Sequence, residues 1–255
     1  MHDPNRIASI KRLCNDLLRR KGGRKMGYKI LIITCILALI SVLMNLKALE
    51  NNPYPVLKII VSVLVSFTAL RYLTLIVYGD SPDYNLLNVL RYFYLASSIA
   101  VTMTTASAVW YVTPCYREKI GYPYFLACFL PWMLFYVYII IKQPTEIIQG
   151  SQFGYKLILT GQFPKYLSIA QGSFVSIIVV LCLIGIICYK HLQMRIQLFI
   201  IILAQLLLTL DGINYGKDRL WVFQPFTLTE FFALITTYYA FSIMIKSIRP
   251  LKNES

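Results

Sequence analysis

The chain has 255 residues, 58% of them hydrophobic and 14% charged, with a mean hydropathy of +0.63. No soluble core needs that much apolar surface, so the composition specifies an integral membrane protein and excludes an ordinary soluble enzyme or binding domain. The net charge of +14 does not point to nucleic acid, because no aromatic-interleaved basic domain accompanies it and basic flanks of membrane spans account for it.

Residues 1–27 read as a basic tail. Within it, Ile7, Ile10, Cys14, Leu17 and Leu18 recur at helical spacing among Lys11, Arg12, Arg19 and Arg20, which suits an amphipathic helix on an anionic leaflet. The tail ends in "KGGRKM", whose Lys-Gly-Gly is compatible with a purine-rich ribosome-binding site just ahead of Met26. Met26 is therefore an alternative start.

Residues 28–248 hold seven apolar stretches, each long enough for the roughly 20 helical residues that cross a bilayer. The expected spans are 28–46, 55–78, 90–112, 122–141, 167–189, 194–210 and 226–245. The runs are continuous rather than alternating, so the expected fold is an all-α membrane protein, a bundle of about seven transmembrane helices. Lys58 and Arg71 interrupt span two near its ends, where both are placed to snorkel. Tyr54, Tyr78, Trp110, Tyr111, Tyr122, Tyr124, Tyr189 and Trp221 sit at span ends, as interfacial belts require. Span three repeats small residues at Ala96, Ala100, Thr104 and Ala108, which marks it as a central, closely packed helix. Pro131 predicts a kink in span four. The longest connection runs from Lys142 to Tyr166, with an apolar patch at 157–159 suited to the interface. A polar tail, 249–255, closes the chain.

Catalytic patterns are missing. His2 and His191 lie outside the spans, so no H-E-x-x-H zinc site forms. None of the six cysteines makes a C-x-x-C pair, and they read as small buried hydrophobes. "RKGG" lacks the spacing of a phosphate loop. No catalytic, cofactor-binding or metal site is expected. The polar positions near membrane depth are Arg71, Glu230, Asp211, Gln171, Gln205 and Asn214. Asp211 and Glu230 flank one short loop; the preferred reading has both at the interface and solvated, and a facing carboxylate pair is the alternative. Arg71 and Glu230 lie toward the same face of the membrane. Snorkelling to headgroups is the preferred fate of Arg71, and an Arg71–Glu230 ion pair is the other. The amides read as interhelical packing contacts or as ligand contacts.

From span four onward the order becomes distinctive. "FLPWMLFYVYIIIKQP" leads to a loop ending in "GQFPKYLSI", and "RIQLFIIILAQLLLTLDGINYG" precedes "FQPFTLTEFFALITTYYAFSI". Over roughly residues 28–248 this resembles the N-terminal seven-transmembrane sensor region of bacterial histidine kinases. The resemblance implies a cell-membrane input module that senses a ligand or an envelope state. In that family a cytoplasmic kinase follows span seven, whereas here span seven leads to "IRPLKNES"; the input would pass to a separate kinase or regulator. The family often has Asn and His in the loop after span four, where this chain has Gln143, Pro144 and Thr145. A different class is also compatible with the sequence: the membrane subunit of an exporter, or an immunity protein against a membrane-active peptide. An exporter subunit would offer a cytoplasmic coupling helix, and the longest loop is its expected place.

Orientation turns on Met26. Starting from Met1, the face bearing the N-terminus carries fifteen Lys and Arg against nine on the other, which places the N-terminus inside. Starting from Met26 removes eight, leaving seven against nine. The N-terminus then lies outside and the loop 142–166 is extracellular, in agreement with the resemblance.

Overall fold

A computed structural model describes residues 4–80, 83–150, 154–213 and 226–248. In chain order the elements are α1 (Pro4–Glu50), α2 (Pro55–Asp80), α3 (Tyr84–Val112), α4 (Pro114–Lys119), α5 (Tyr122–Ala127), α6 (Leu130–Lys142), β1 (Thr145–Gly150), β2 (Gly154–Leu159), α7 (Phe163–Cys188), α8 (Leu192–Ile213) and α9 (Thr227–Ile248). Among the described residues, five segments are long and apolar enough to cross a membrane: Gly27–Glu50, Pro55–Tyr78, Tyr84–Val112, Lys165–Cys188 and Leu192–Ile213. The molecule is a multi-pass helical membrane protein. Leu43, Ile59, Ile187 and Phe199 are largely exposed, which suits helix faces that meet lipid tails rather than water.

Proline sets several boundaries. Helices α4, α5, α6 and α7 each carry Pro at their first or second position, where its missing N–H costs nothing. The expected kink at Pro131 is a full break into α5 and α6. In an unbroken helix the Pro131 ring would clash with the carbonyl four residues back, that of Ala127, and α5 ends there.

The spans assemble around α3. Every residue from Ala100 to Val112 is buried, and α3 packs against α2, α6, α7, α8 and α9. Ala100, Thr104 and Ala108 face this interior, where small side chains let neighbouring backbones approach. Polar cross-links replace the hydrophobic effect that lipid tails cannot supply. Asn45 Nδ2 donates to the Leu234 carbonyl at 2.9 Å, and Thr237 Oγ1 donates to Asn45 Oδ1 at 3.1 Å, tying α1 to α9. At the end of the bundle where α3 finishes, Tyr54, Trp110 and Tyr122 pack in sequence with centroids 5.2 and 5.1 Å apart. There Lys58 Nζ donates to the Glu50 carbonyl at the end of α1 (2.7 Å).

The loop from Lys142 departs from the all-α expectation. Strands β1 and β2 pair antiparallel, from Thr145 opposite Leu159 to Gly150 opposite Gly154. The signal was two short runs rich in Ile, Leu and Thr, separated by a glycine-flanked turn; it is easily lost beside seven long apolar stretches. At the base of the hairpin Thr160 N–H donates to the Pro144 carbonyl at 2.9 Å. The hairpin is also held to the start of α3, where Tyr84 and Thr145 hydroxyls lie 2.9 Å apart and Arg91 donates to the Ile141 and Gln143 carbonyls. The side chains of the apolar patch 157–159 lie outside the described residues, as do those of the amphipathic tail, Trp221 and the tail 249–255.

Candidate functional site

Arg71 does not reach the headgroups. It is 2% exposed, and its Nε lies 2.8 Å from Glu230 Oε2. Groups on α3 hold it in place. Arg71 Nη1 donates to the Tyr94 carbonyl at 3.1 Å and to Ser97 Oγ at 3.2 Å. Ser97 Oγ donates in turn to Glu230 Oε1 at 3.1 Å. The guanidinium stands 4.5 Å from the centre of the Tyr94 ring, a favourable placement for a cation over an aromatic face. Tyr94 is stacked on Tyr78, whose hydroxyl donates to the Leu87 carbonyl at 2.6 Å. One network therefore joins α2, α3 and α9. A charged side chain isolated at membrane depth costs about 2.5–3.5 kcal/mol on insertion scales, so each charge here depends on the other.

Glu230 is accordingly not a solvated interfacial carboxylate: it is 4% exposed. Asp211 is engaged elsewhere. Its Oδ2 accepts from Thr229 Oγ1 at 2.7 Å and from Phe226 N–H at 3.2 Å. Asp211 thus caps the start of α9 from the end of α8, and the two carboxylates bind different partners. Phe226 itself has φ of 65°, a conformation that costs a non-glycine residue of order 1–3 kcal/mol and persists only where its surroundings hold it. Its carbonyl accepts from Glu230 N–H at 2.9 Å, so the cap and the ion pair share one turn. Asp211→Ala is expected to cost about 0.5–2 kcal/mol, measured as a lower thermal midpoint in detergent, while Asp211→Asn keeps most of the stability.

A partly open cavity lies beside the pair, with about 50 Å³ open to the centre of a water molecule. Arg71, Glu230, Gln171 and Gln205 all line it, so four of the residues singled out by the sequence meet at one place. Gln205 reaches it from α8 with its Nε2 donating to Thr105 Oγ1 at 2.9 Å. Gln171 reaches it from α7 and lies against Gly212, where a Cβ would stand 2.7 Å from its Oε1. Tyr136 of α6 and Tyr94, Ser98 and Thr102 of α3 add to the polar wall. Sequence reasoning missed Ser97, Tyr94 and Tyr136. Ser97 stood in plain view in "LASSIAV", but nothing in that run distinguishes a hydroxyl that bridges two charges from one that packs. Asn214 lies outside the described residues.

The chain matches no protein-family model and no curated protein sequence.

Proposed function

We propose that the chain is a seven-span, non-catalytic input module of the bacterial cell membrane that signals through a separate kinase or regulator. In this reading α5 and α6 together make the fourth span and α9 the seventh. The face bearing the hairpin lies outside. A ligand enters the cavity, shifts the balance of contacts at Glu230, and α9 carries the change to the opposite face. A ligand moves such an equilibrium only by the difference in its affinity for the two states. The observation that carries the reading is the Arg71–Ser97–Glu230 network, which joins the cavity wall to the last helix. The exporter alternative looked to the longest loop for a coupling helix, and the hairpin there lends it no support.

Reporter fusions at Ser255 test the orientation. A fluorescent protein that folds only in the cytoplasm is expected to be bright, and a periplasm-dependent phosphatase inactive. Phosphatase activity at that position sinks the input-module reading.

A further inference from the structure

We infer that the cavity takes the polar end of an uncharged amphiphile, a hydroxyl- or carbonyl-bearing head of the chemical class of a monoacylglycerol, with its chain leaving through the cavity's open side. The inference rests on the reading of this cavity as a ligand site.

Three features of the lining point to that chemistry. Gln171 is 9% exposed and Tyr136 is 3% exposed, both line the cavity, and neither polar group has a hydrogen-bond partner among the described residues. Neither is among the enclosed polar atoms that lack a partner, so each polar group opens onto the cavity, where water or a ligand can satisfy it. A phenol and a primary amide facing one space offer donors and an acceptor to a hydroxyl or carbonyl. Second, the charges in the wall are already matched. Arg71 and Glu230 neutralise each other at 2.8 Å, so an anionic or cationic ligand would have to break that pair to find a counter-charge. Third, the remaining wall is apolar, with Phe163, Leu167, Leu208 and Phe226. A hydrocarbon segment suits that part of the wall, and the cavity is partly open.

Gly212 gives the site an independent handle. A Cβ there would stand 2.7 Å from Gln171 Oε1, so Gly212→Ala pushes the amide out of its present position without altering any lining side chain.

The test uses the full chain in phosphatidylcholine nanodiscs with a diazirine-bearing monoacylglycerol, and labelled peptides read by mass spectrometry. Saturable labelling within residues 130–142 and 163–188 is expected, displaced by monooctanoylglycerol and not by octanoate or octylamine. Tyr136→Phe and Gln171→Leu should each weaken apparent affinity about three- to tenfold, the scale of one lost hydrogen bond, and Gly212→Ala should do the same. Tyr136→Phe removes a single oxygen, and a symmetrical gel-filtration peak confirms that its fold is kept. Non-saturable labelling spread over the lipid-facing helices overturns the inference. So does equal displacement by the charged octyl compounds, or unchanged affinity in both side-chain variants, which would leave the cavity to water alone. Saturable labelling with phosphatase activity at Ser255 would overturn the input-module reading and leave the binding site standing.

Discussion

Replacing Glu230 with Gln is expected to destabilise the purified protein by about 3–5 kcal/mol, the cost of leaving one partner of a buried ion pair without the other. The amide keeps the shape of the carboxylate and can still accept from Ser97. It cannot neutralise Arg71, which is 2% exposed and packed under Tyr94. The guanidinium does not give up its charge at any accessible pH, so the strain is relieved only by water entering the cavity or by α9 moving away from α2. Denaturant titration in a fixed detergent reads the loss, and Glu118→Gln serves as the control. Glu118 is exposed on α4 and its replacement should change stability by less than about 0.5 kcal/mol. Equal effects at the two positions would mean that Glu230 carries no special burden.

The second large effect is expected at Gly185 on α7. A Cβ there would stand 2.7 Å from Leu198 Cδ1 and 3.4 Å from Thr113 Oγ1. Leu198 is 1% exposed, so it has little room to turn aside. Here the Leu198 side chain of α8 packs directly onto the α7 backbone at Gly185. Gly185→Ala forces a shift, and Gly185→Val adds two methyl groups where there is space for none. Overpacking of this kind costs about 1–3 kcal/mol, and Val should reach the upper end. Gly172 on the same helix provides the contrast, since a Cβ there would meet nothing within 4 Å. Gly172→Ala should be neutral or stabilising by up to about 1 kcal/mol, because alanine is the better helix former. Thermal midpoints of the two alanine variants, compared side by side, separate close packing from helix propensity.

These contrasts also show what was legible beforehand. Continuous apolar runs identify membrane helices because the bilayer leaves a backbone few ways to satisfy itself, and the limits of 55–78 were read to the residue. Pro131 announced a disturbance in span four for a reason contained in its own ring. The hairpin went unread, since its strands are short and their pairing depends on a turn rather than on a long pattern. At the site, the sequence could name Arg71, Glu230, Gln171 and Gln205 because polar groups are rare at that depth. It could not decide how they combine. Snorkelling and pairing are both open to an arginine two turns from a helix end; the choice is made by Ser97 and the Tyr94 carbonyl, on a helix that precedes Glu230 by more than a hundred residues. Asp211 illustrates the same limit. Its spacing from Glu230 invited a carboxylate pair, yet the backbone N–H of Phe226 and the hydroxyl of Thr229 took its oxygen first.

Arg71 and Glu230 act as one buried unit tying the cavity wall to α9. A double-mutant cycle with Arg71→Met and Glu230→Leu, measured in lipid bicelles, tests this most directly. Each single replacement is expected to be costly, and the double replacement to recover much of the loss. The coupling should be at least about 2 kcal/mol, as expected for groups in one network. Additive effects, with a coupling indistinguishable from zero, would mean that the two charges are solvated separately and would contradict the buried unit.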